Sequence, residues 1–243
     1  MDLLLNCDLG ETVDDDQLVI ESQVMPHIDQ ANIACGFHAG NPLIMEKTLR
    51  LAKQHQVSVG AHPSYPDKFN FGRQSMNISA RDLIACLKHQ IATLDKVAHN
   101  IDLCISYVKP HGALYNDMMK NGHLRSAVMA AIAESTAATL MLQATEDAEI
   151  HRQEADAFGI ALYLEVFADR AYQDTGALVP RNQQGAILDN EKTLAQVQQL
   201  KQDASVTTVS GKRLSLIADS LCVHGDNPQA VADISQIRAI LSP

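Results

Sequence analysis

Ala31-Asn-Ile-Ala-Cys-Gly36-Phe-His38-Ala-Gly40-Asn-Pro42 carries one complete passage from strand to helix. Ala31–Ala34 is a short strand-like run. Cys35 to Gly40 is a loop of small residues around His38. Asn41-Pro42 then supplies an N-cap followed by a proline at the first helical position. From Pro42 to His55, Leu43, Met45 or Glu46, Leu49 and Ala52 recur near helical spacing, and Val57–Gly60 is again a strand. A strand, a crossover helix and a second strand make the unit from which parallel sheets are built.

The same grammar runs through the chain. Further strand candidates are Leu3–Leu5, Ile105–Lys109, Ile160–Phe167 and Leu221–His224, with weaker ones at Thr139–Leu142 and Ala186–Leu188. Helices are expected from Ser79 (a capping-box variant, Ser-Ala-Arg-Asp82) to about His99, and over Ala127–Ser135, Glu146–Phe158, Glu191–Lys201 and Pro228–Leu241. Polar islands follow six of the strands: Asn6–Glu11, Asn32–Gly40, Gly60–Asp67, Lys109–Asn116, Glu165–Arg170 and Cys222–Asp226. Loops after parallel strands gather on one face and carry the chemistry there. No GxGxxG or GxxxxGK[ST] loop is present, which argues against a nucleotide-binding open sheet. Chemistry after several strands favours a closed or nearly closed α/β barrel, TIM-like, formed by residues 1–243 as one domain.

Bulk properties exclude other classes. The 243 residues carry a formal charge of −10 and no basic stripe, so nucleic-acid binding is not expected. No apolar run reaches the roughly 18 residues that suggest a membrane span. The five cysteines are scattered without a CxxC pair, and the chain opens on a strand-like segment rather than a leader, so a reduced, cytoplasmic setting is expected.

The islands supply the candidate chemistry. Asp8 precedes Gly10 at a strand end; His38, His62, His111 and His224 each follow a strand and neighbour small residues. His38 and His224 both stand three residues before an Asn-Pro helix start, where helix amides favour anions. Imidazoles with Asp8 and Glu165 suit either of two arrangements. One is a divalent cation held among these side chains. The other is metal-free proton transfer near neutral pH. Arg73, Lys109, Arg170 and Arg181 are candidate clamps for a carboxylate or phosphate, or partners for local acids. Tyr65, Tyr115 and Asn116 offer hydrogen bonds to a substrate or to their own loops. Cys7, Cys35 and Cys222 read as packing residues, because none is clearly paired with a His as base.

In these motifs the chain resembles the LamB/YcsF family, whose members are the A subunits of 5-oxoprolinase. The likeness spans nearly the whole length and rests on NCDLGE (Asn6–Glu11), ANIACGFHAG (Ala31–Gly40), GAHPSYPD (Gly60–Asp67), FGR (Phe71–Arg73), VKPHGALYN (Val108–Asn116), EVFADRAY (Glu165–Tyr172), LVPR (Leu178–Arg181) and CVHGD (Cys222–Asp226). Asn41, Ser64, Asn70 and Gln74 depart from the family pattern; Gln74 removes a second arginine beside Arg73, which weakens a double-arginine clamp there. The resemblance implies an irregular barrel of the glycoside hydrolase/deacetylase type, a wider group whose members often hold a metal with Asp and His residues, which here points to Asp8, His38 and His62 as metal ligands. It also implies ATP-dependent opening of the 5-oxoproline lactam to L-glutamate, together with 5-oxoprolinase subunits B and C. On that reading Asp8, His38, His62, His111 and Glu165 are the catalytic candidates, and Arg73, Lys109, Asn116, Arg170 and His224 hold the substrate. A metal-dependent deacetylase acting alone on an N-acetylated sugar is the alternative enzyme, and a scaffold protein for partner enzymes the non-catalytic one.

Overall fold

The first strand, β1 (Leu4–Leu9), alternates between two environments. Leu5, Cys7 and Leu9 join the apolar core, whereas Asn6 and Asp8 bond to side chains of other strands on the opposite face. Period-two alternation of this kind gives a strand one apolar and one polar side. The computed structural model describes residues 3–11, 16–223 and 228–242. His224, a candidate from the sequence, therefore lies outside the described residues.

Around β1 a parallel barrel closes through β2 (Gln30–Ala34), β3 (Ser58–His62), β4 (Tyr107–Val108), β5 (Thr139–Gln143) and β6 (Leu162–Phe167). A small antiparallel hairpin, β7 (Ser205–Thr207) with β8 (Arg213–Ser215), comes next in the chain. The last strand, β9 (Ser220–Val223), then inserts between β6 and β1 and completes seven barrel strands. This is the α/β, TIM-like architecture expected from the strand–helix alternation, with seven strands in the ring.

Helices separate the strands: α1 (Asp16–Val24), α2 (Pro42–His55), α3 (Ala80–His99), α4 (Gly112–Lys120), α5 (Gly122–Ala133), α6 (Ala148–Asp156), α7 (Asn190–Asp203) and α8 (Pro228–Leu241). Caps set two of the starts that matter here. The Asn41 side chain accepts hydrogen bonds from the amides of Leu43 and Ile44, opening α2 directly after the His38 loop. Ser79 accepts from the Asp82 amide and donates to its carboxylate, opening α3. None of the described helices is long and apolar enough to cross a membrane.

Several boundaries differ from expectation. β1 runs on to Leu9, because Asn6 and Asp8 are satisfied across the barrel and need no loop. The expected strand Ile105–Lys109 contracts to two paired residues. Helix α4 occupies the Lys109–Asn116 island, and α5 begins at Gly122, capped by Asn121, rather than at Ala127. Ala186–Leu188 is not a strand; only Ile187 makes an isolated bridge, to Arg170. Helix α1 and the β7–β8 hairpin are additions to the expected elements; the hairpin strands are three residues each, too short to show a period.

The barrel interior is filled by polar side chains. Register pairs Asn6 with Gln30 and Asp8 with Asn32 across β1 and β2, and Gly60 with Tyr107 across β3 and β4. The Tyr107 ring lies over Gly60, where a Cβ would come within 2.2 Å of the ring. That space lets the phenol donate to Asn32 Oδ1 at 2.7 Å. Outside the barrel, buried Glu21 on α1 accepts the Gly10 amide with one oxygen and the Thr48 hydroxyl with the other, both at 2.7 Å. It thereby ties α1 and α2 to the end of β1.

These contacts make two predictions about stability. Gly60→Ala drives a methyl into the Tyr107 ring, and overpacking of this kind costs about 1–3 kcal/mol. A denaturant midpoint equal to that of the native chain would show that the ring does not need the space. Burial raises the Glu21 carboxyl above the ordinary Glu value, its two hydrogen bonds opposing the shift. The native state thus holds this proton more tightly than the unfolded chain. The group's stabilising contribution is full below the ordinary Glu range and is lost as pH rises through the native value. Glu21→Gln, which keeps an acceptor for Gly10, should therefore raise the midpoint at neutral pH, with the gain shrinking towards about pH 4. A gain that grows on acidification would contradict this.

Candidate active site

Lys109 leaves the end of β4 and buries its ammonium inside the barrel mouth, with 3% of the residue exposed. Its Nζ lies 2.9 Å from Asp8 Oδ1 and 2.8 Å from Glu165 Oε1, and it also donates to Asn6 Oδ1 at 3.3 Å. Burial works against the charge, but Asp8 and Glu165 outweigh it and hold the lysine well above its usual pKa. Glu165 itself is fully buried and is held on its other oxygen by the Tyr115 hydroxyl at 2.8 Å. It sits behind Lys109 and positions it.

Asp8 is divided between two tasks. Oδ1 accepts from Lys109 and from Asn32 Nδ2 at 2.7 Å, and Asn32 is in turn oriented by Tyr107. Oδ2 faces His62, at 3.5 Å from Nε2. His62, the last residue of β3, has its Nδ1 2.6 Å from the Lys109 carbonyl. A carbonyl only accepts, so Nδ1 carries the proton and Nε2 presents its lone pair to the site. His111, at the N-cap of α4, is oriented the same way by Nε2 donating to the Phe71 carbonyl at 2.9 Å. Its Nδ1 comes 3.0 Å from His62 Nε2.

Glu11, just past β1, completes this group. Its Oε1 is 3.2 Å from His111 Nδ1, 3.1 Å from His38 Nε2 and 3.7 Å from His62 Nε2. His38 stacks on His111, with ring centroids 3.8 Å apart and planes 4° from parallel. Burial pushes the His38 pKa down to about 4, against the pull of Glu11. Burial also opposes ionisation of Glu11, but the His111 and His38 imidazoles beside it outweigh that and hold it well below the carboxylate range. For His62, burial is outweighed by Asp8, and its pKa is raised. The group with ligand atoms close enough to share an ion is Glu11, His38, His62 and His111, all within 4.8 Å of one another. Asp8, named as a ligand from the sequence, is adjacent to that group and committed to Lys109 and Asn32. Two tight turns permit the arrangement: Gly10, with φ +70°, turns β1 towards Glu11, and a Cβ on Gly72 would meet both His111 and His38 at 3.0 Å.

A cleft of about 710 Å³ opens above these residues. Asp8, Glu11, His62, Lys109 and His111 line its floor side, and Arg73, Asn116 and Arg170 also reach it. Arg73 packs over the Phe71 ring, and Asn116 donates to the Gly112 carbonyl at 3.0 Å. Arg170 bonds the carbonyls of Val179 and Ala186, so much of its guanidinium pins the segment that covers the cleft. His38 and Glu165 lie behind the lining. The structure thus brings Asp8, His38, His62, His111, Lys109 and Glu165 into one connected network. Glu11, Asn32 and Tyr107 join it without having been singled out as candidates from the sequence. A signal was present for the first two: Glu11 ends the Asp8 island, and Asn32 is a polar residue recurring at period two with Gln30. His151 is also buried at the cleft wall.

Known proteins are similar to this chain in sequence and in fold. Residues 3–243 match the LamB/YcsF family. The chain is 46% identical over 242 residues to the A subunit of 5-oxoprolinase from Pseudomonas fluorescens, covering 99% of this chain and 97% of that protein. The corresponding 5-oxoprolinase protein of Vibrio parahaemolyticus is 43% identical over 240 residues, with 98% and 95% covered. Among solved structures, a lactam utilization protein from Thermus thermophilus superposes with a TM-score of 0.87 at 31% identity, covering 99% of this chain and 96% of that one. On whole-chain matches to the family and to these relatives, the protein belongs to the LamB/YcsF family.

Proposed function

We propose that this chain is the lactam-opening component of an ATP-dependent 5-oxoprolinase, converting 5-oxoproline to L-glutamate together with subunits B and C. The observation that carries the reading is the convergence of Asp8, His62, His111 and Lys109 on one cleft. The relatives named as A subunits of 5-oxoprolinase, matched over nearly their whole length, support the substrate class and the need for partners.

Lactam opening begins when the amide oxygen attacks the γ-phosphorus of ATP and ADP leaves, so the amide carbon becomes a better electrophile. Water adds to that carbon, the C–N bond breaks, and the nitrogen takes a proton. The resulting γ-acyl phosphate is hydrolysed by a second water to glutamate and phosphate. His62 Nε2 is the basic atom facing the cleft, because Nδ1–H is committed to the Lys109 carbonyl. Asp8 Oδ2, the oxygen turned towards His62, steadies the imidazolium that forms when the water proton arrives. His111 Nδ1, 3.0 Å from His62 Nε2, takes up that proton and passes it to the departing nitrogen. Lys109 supplies fixed positive charge near the developing oxyanion. Arg73 and Asn116 hold the substrate carboxylate at the cleft wall.

The cleft falls within the range that encloses drug-sized ligands and is larger than a five-membered lactam needs. ATP as co-substrate uses that extra room, with Lys120 and Arg181 on the lining as cationic partners for phosphate. A divalent cation held among the histidines would take the His62 and His111 lone pairs and leave Asp8 Oδ2 to accept the water proton. A reaction that uses ATP, on a chain whose cysteines are unpaired, suits the cytoplasm.

Glutamate release from 5-oxoproline, measured with reconstituted partner subunits, should require ATP. Asp8→Asn and His62→Ala should each lower turnover by about 100-fold or more, the usual scale for losing a proton-transfer group. Near-normal turnover in both variants would overturn the assignment.

A further inference from the structure

The histidine group holds more acceptors than the protein supplies protons for. Nδ1 of His62 and Nε2 of His111 both donate to backbone carbonyls, at 2.6 and 2.9 Å. With the rings neutral, His62 Nε2 and His111 Nδ1 are therefore two lone pairs pointing at each other from 3.0 Å. A third acceptor, Glu11 Oε1, lies 3.2 Å from His111 Nδ1 and 3.7 Å from His62 Nε2, and Asp8 Oδ2 lies 3.5 Å from His62. Buried acceptors in such a cluster repel unless a cation stands among them. His38 adds an imidazole whose Nε2 is 3.1 Å from the same Glu11 oxygen, and its Nδ1 is buried with no hydrogen-bond partner.

We propose that Glu11, His38, His62 and His111 form a binding site for one divalent transition-metal ion of the zinc class. Three imidazoles and one carboxylate are the donors that such borderline ions prefer over magnesium or calcium. The carbonyls of Lys109 and Phe71 fix the ring orientation from behind, the usual support for ligating histidines. The ligands come from separate places in the barrel: the turn after β1, the loop before α2, the end of β3 and the loop after β4. A folded barrel thus assembles the site before any ion arrives. Asp8 stays outside the ligand set, because Lys109 and Asn32 already occupy its Oδ1 and its Oδ2 faces His62 from the Lys109 side. When bound, such an ion supplies positive charge that polarises an amide carbonyl and acidifies a neighbouring water. That use rests on the lactam-opening reading; the binding does not.

The test is made on the isolated chain without its partners. Protein stripped with chelator and titrated with Zn²⁺ should take up one equivalent, and Co²⁺ should give visible absorption bands that Zn²⁺ abolishes. Glu11→Gln and His111→Gln should weaken Zn²⁺ binding by more than about tenfold, the scale seen when even supporting groups of a metal site are removed. Asp8→Asn should leave the stoichiometry and the Co²⁺ spectrum as they are. No uptake of Zn²⁺ or Co²⁺ by the folded native chain overturns the proposal without reference to any variant. Loss of uptake in Asp8→Asn with native-like circular dichroism overturns the ligand set. A chain that takes up no metal yet opens the lactam with its partners would sink this site and leave the function standing. A metal-binding chain in an inactive reconstituted complex would do the reverse.

Discussion

The buried ammonium of Lys109 is the constraint around which the site is arranged. A lysine at this depth is tolerable only with compensating charge, and Asp8 on β1 and Glu165 on β6 supply it at 2.9 and 2.8 Å. Because Lys109 draws on β1, β6 and, through Asn6, the β1–β2 pair, it links strands that are distant in sequence. Its backbone carbonyl also orients His62. One residue thus places the central cation and orients the His62 imidazole.

A polar barrel interior makes this burial tolerable. Asn6 donates to Ser220, Asn32 donates to Asn6 and Asp8, and Tyr107 donates to Asn32, so each of these buried groups meets a partner. The apolar layer lies between strands and helices instead, where Leu5, Cys7, Ile33, Val59 and Leu221 pack. Stability and chemistry are thereby assigned to different faces of the same strands. Gly60 shows how tightly the two are coupled: one methyl there would push Tyr107 off Asn32, and Asn32 off Asp8.

The histidines extend the same logic towards the cleft. His62 and His111 are locked by backbone carbonyls and His38 by stacking, leaving Glu11 as the shared centre. Glu11 depends on the turn at Gly10, whose amide is held by Glu21 from α1. A helix with no clear periodic signal in the sequence therefore presents a carboxylate that local pattern did not single out.

Alternation of short strand-like runs with capped amphipathic helices was enough to determine a parallel α/β barrel from residues alone, and the placement of Asp8, His38, His62 and His111 at strand ends was enough to expect them together on one face, where the structure gathers them. These are local properties: periodicity, caps and small-residue turns act over a few residues. Tertiary structure decided the rest. Whether Asp8 or Glu11 sits among the imidazoles depends on the register of β1 against β2 and on what Lys109, far along the chain, already holds. Glu165 became a supporting group and Arg170 a pin for the covering segment because of partners that no local pattern specifies. Side-chain roles in this barrel follow from competition for buried hydrogen-bond partners across strands, and that competition exists only once the ring has closed.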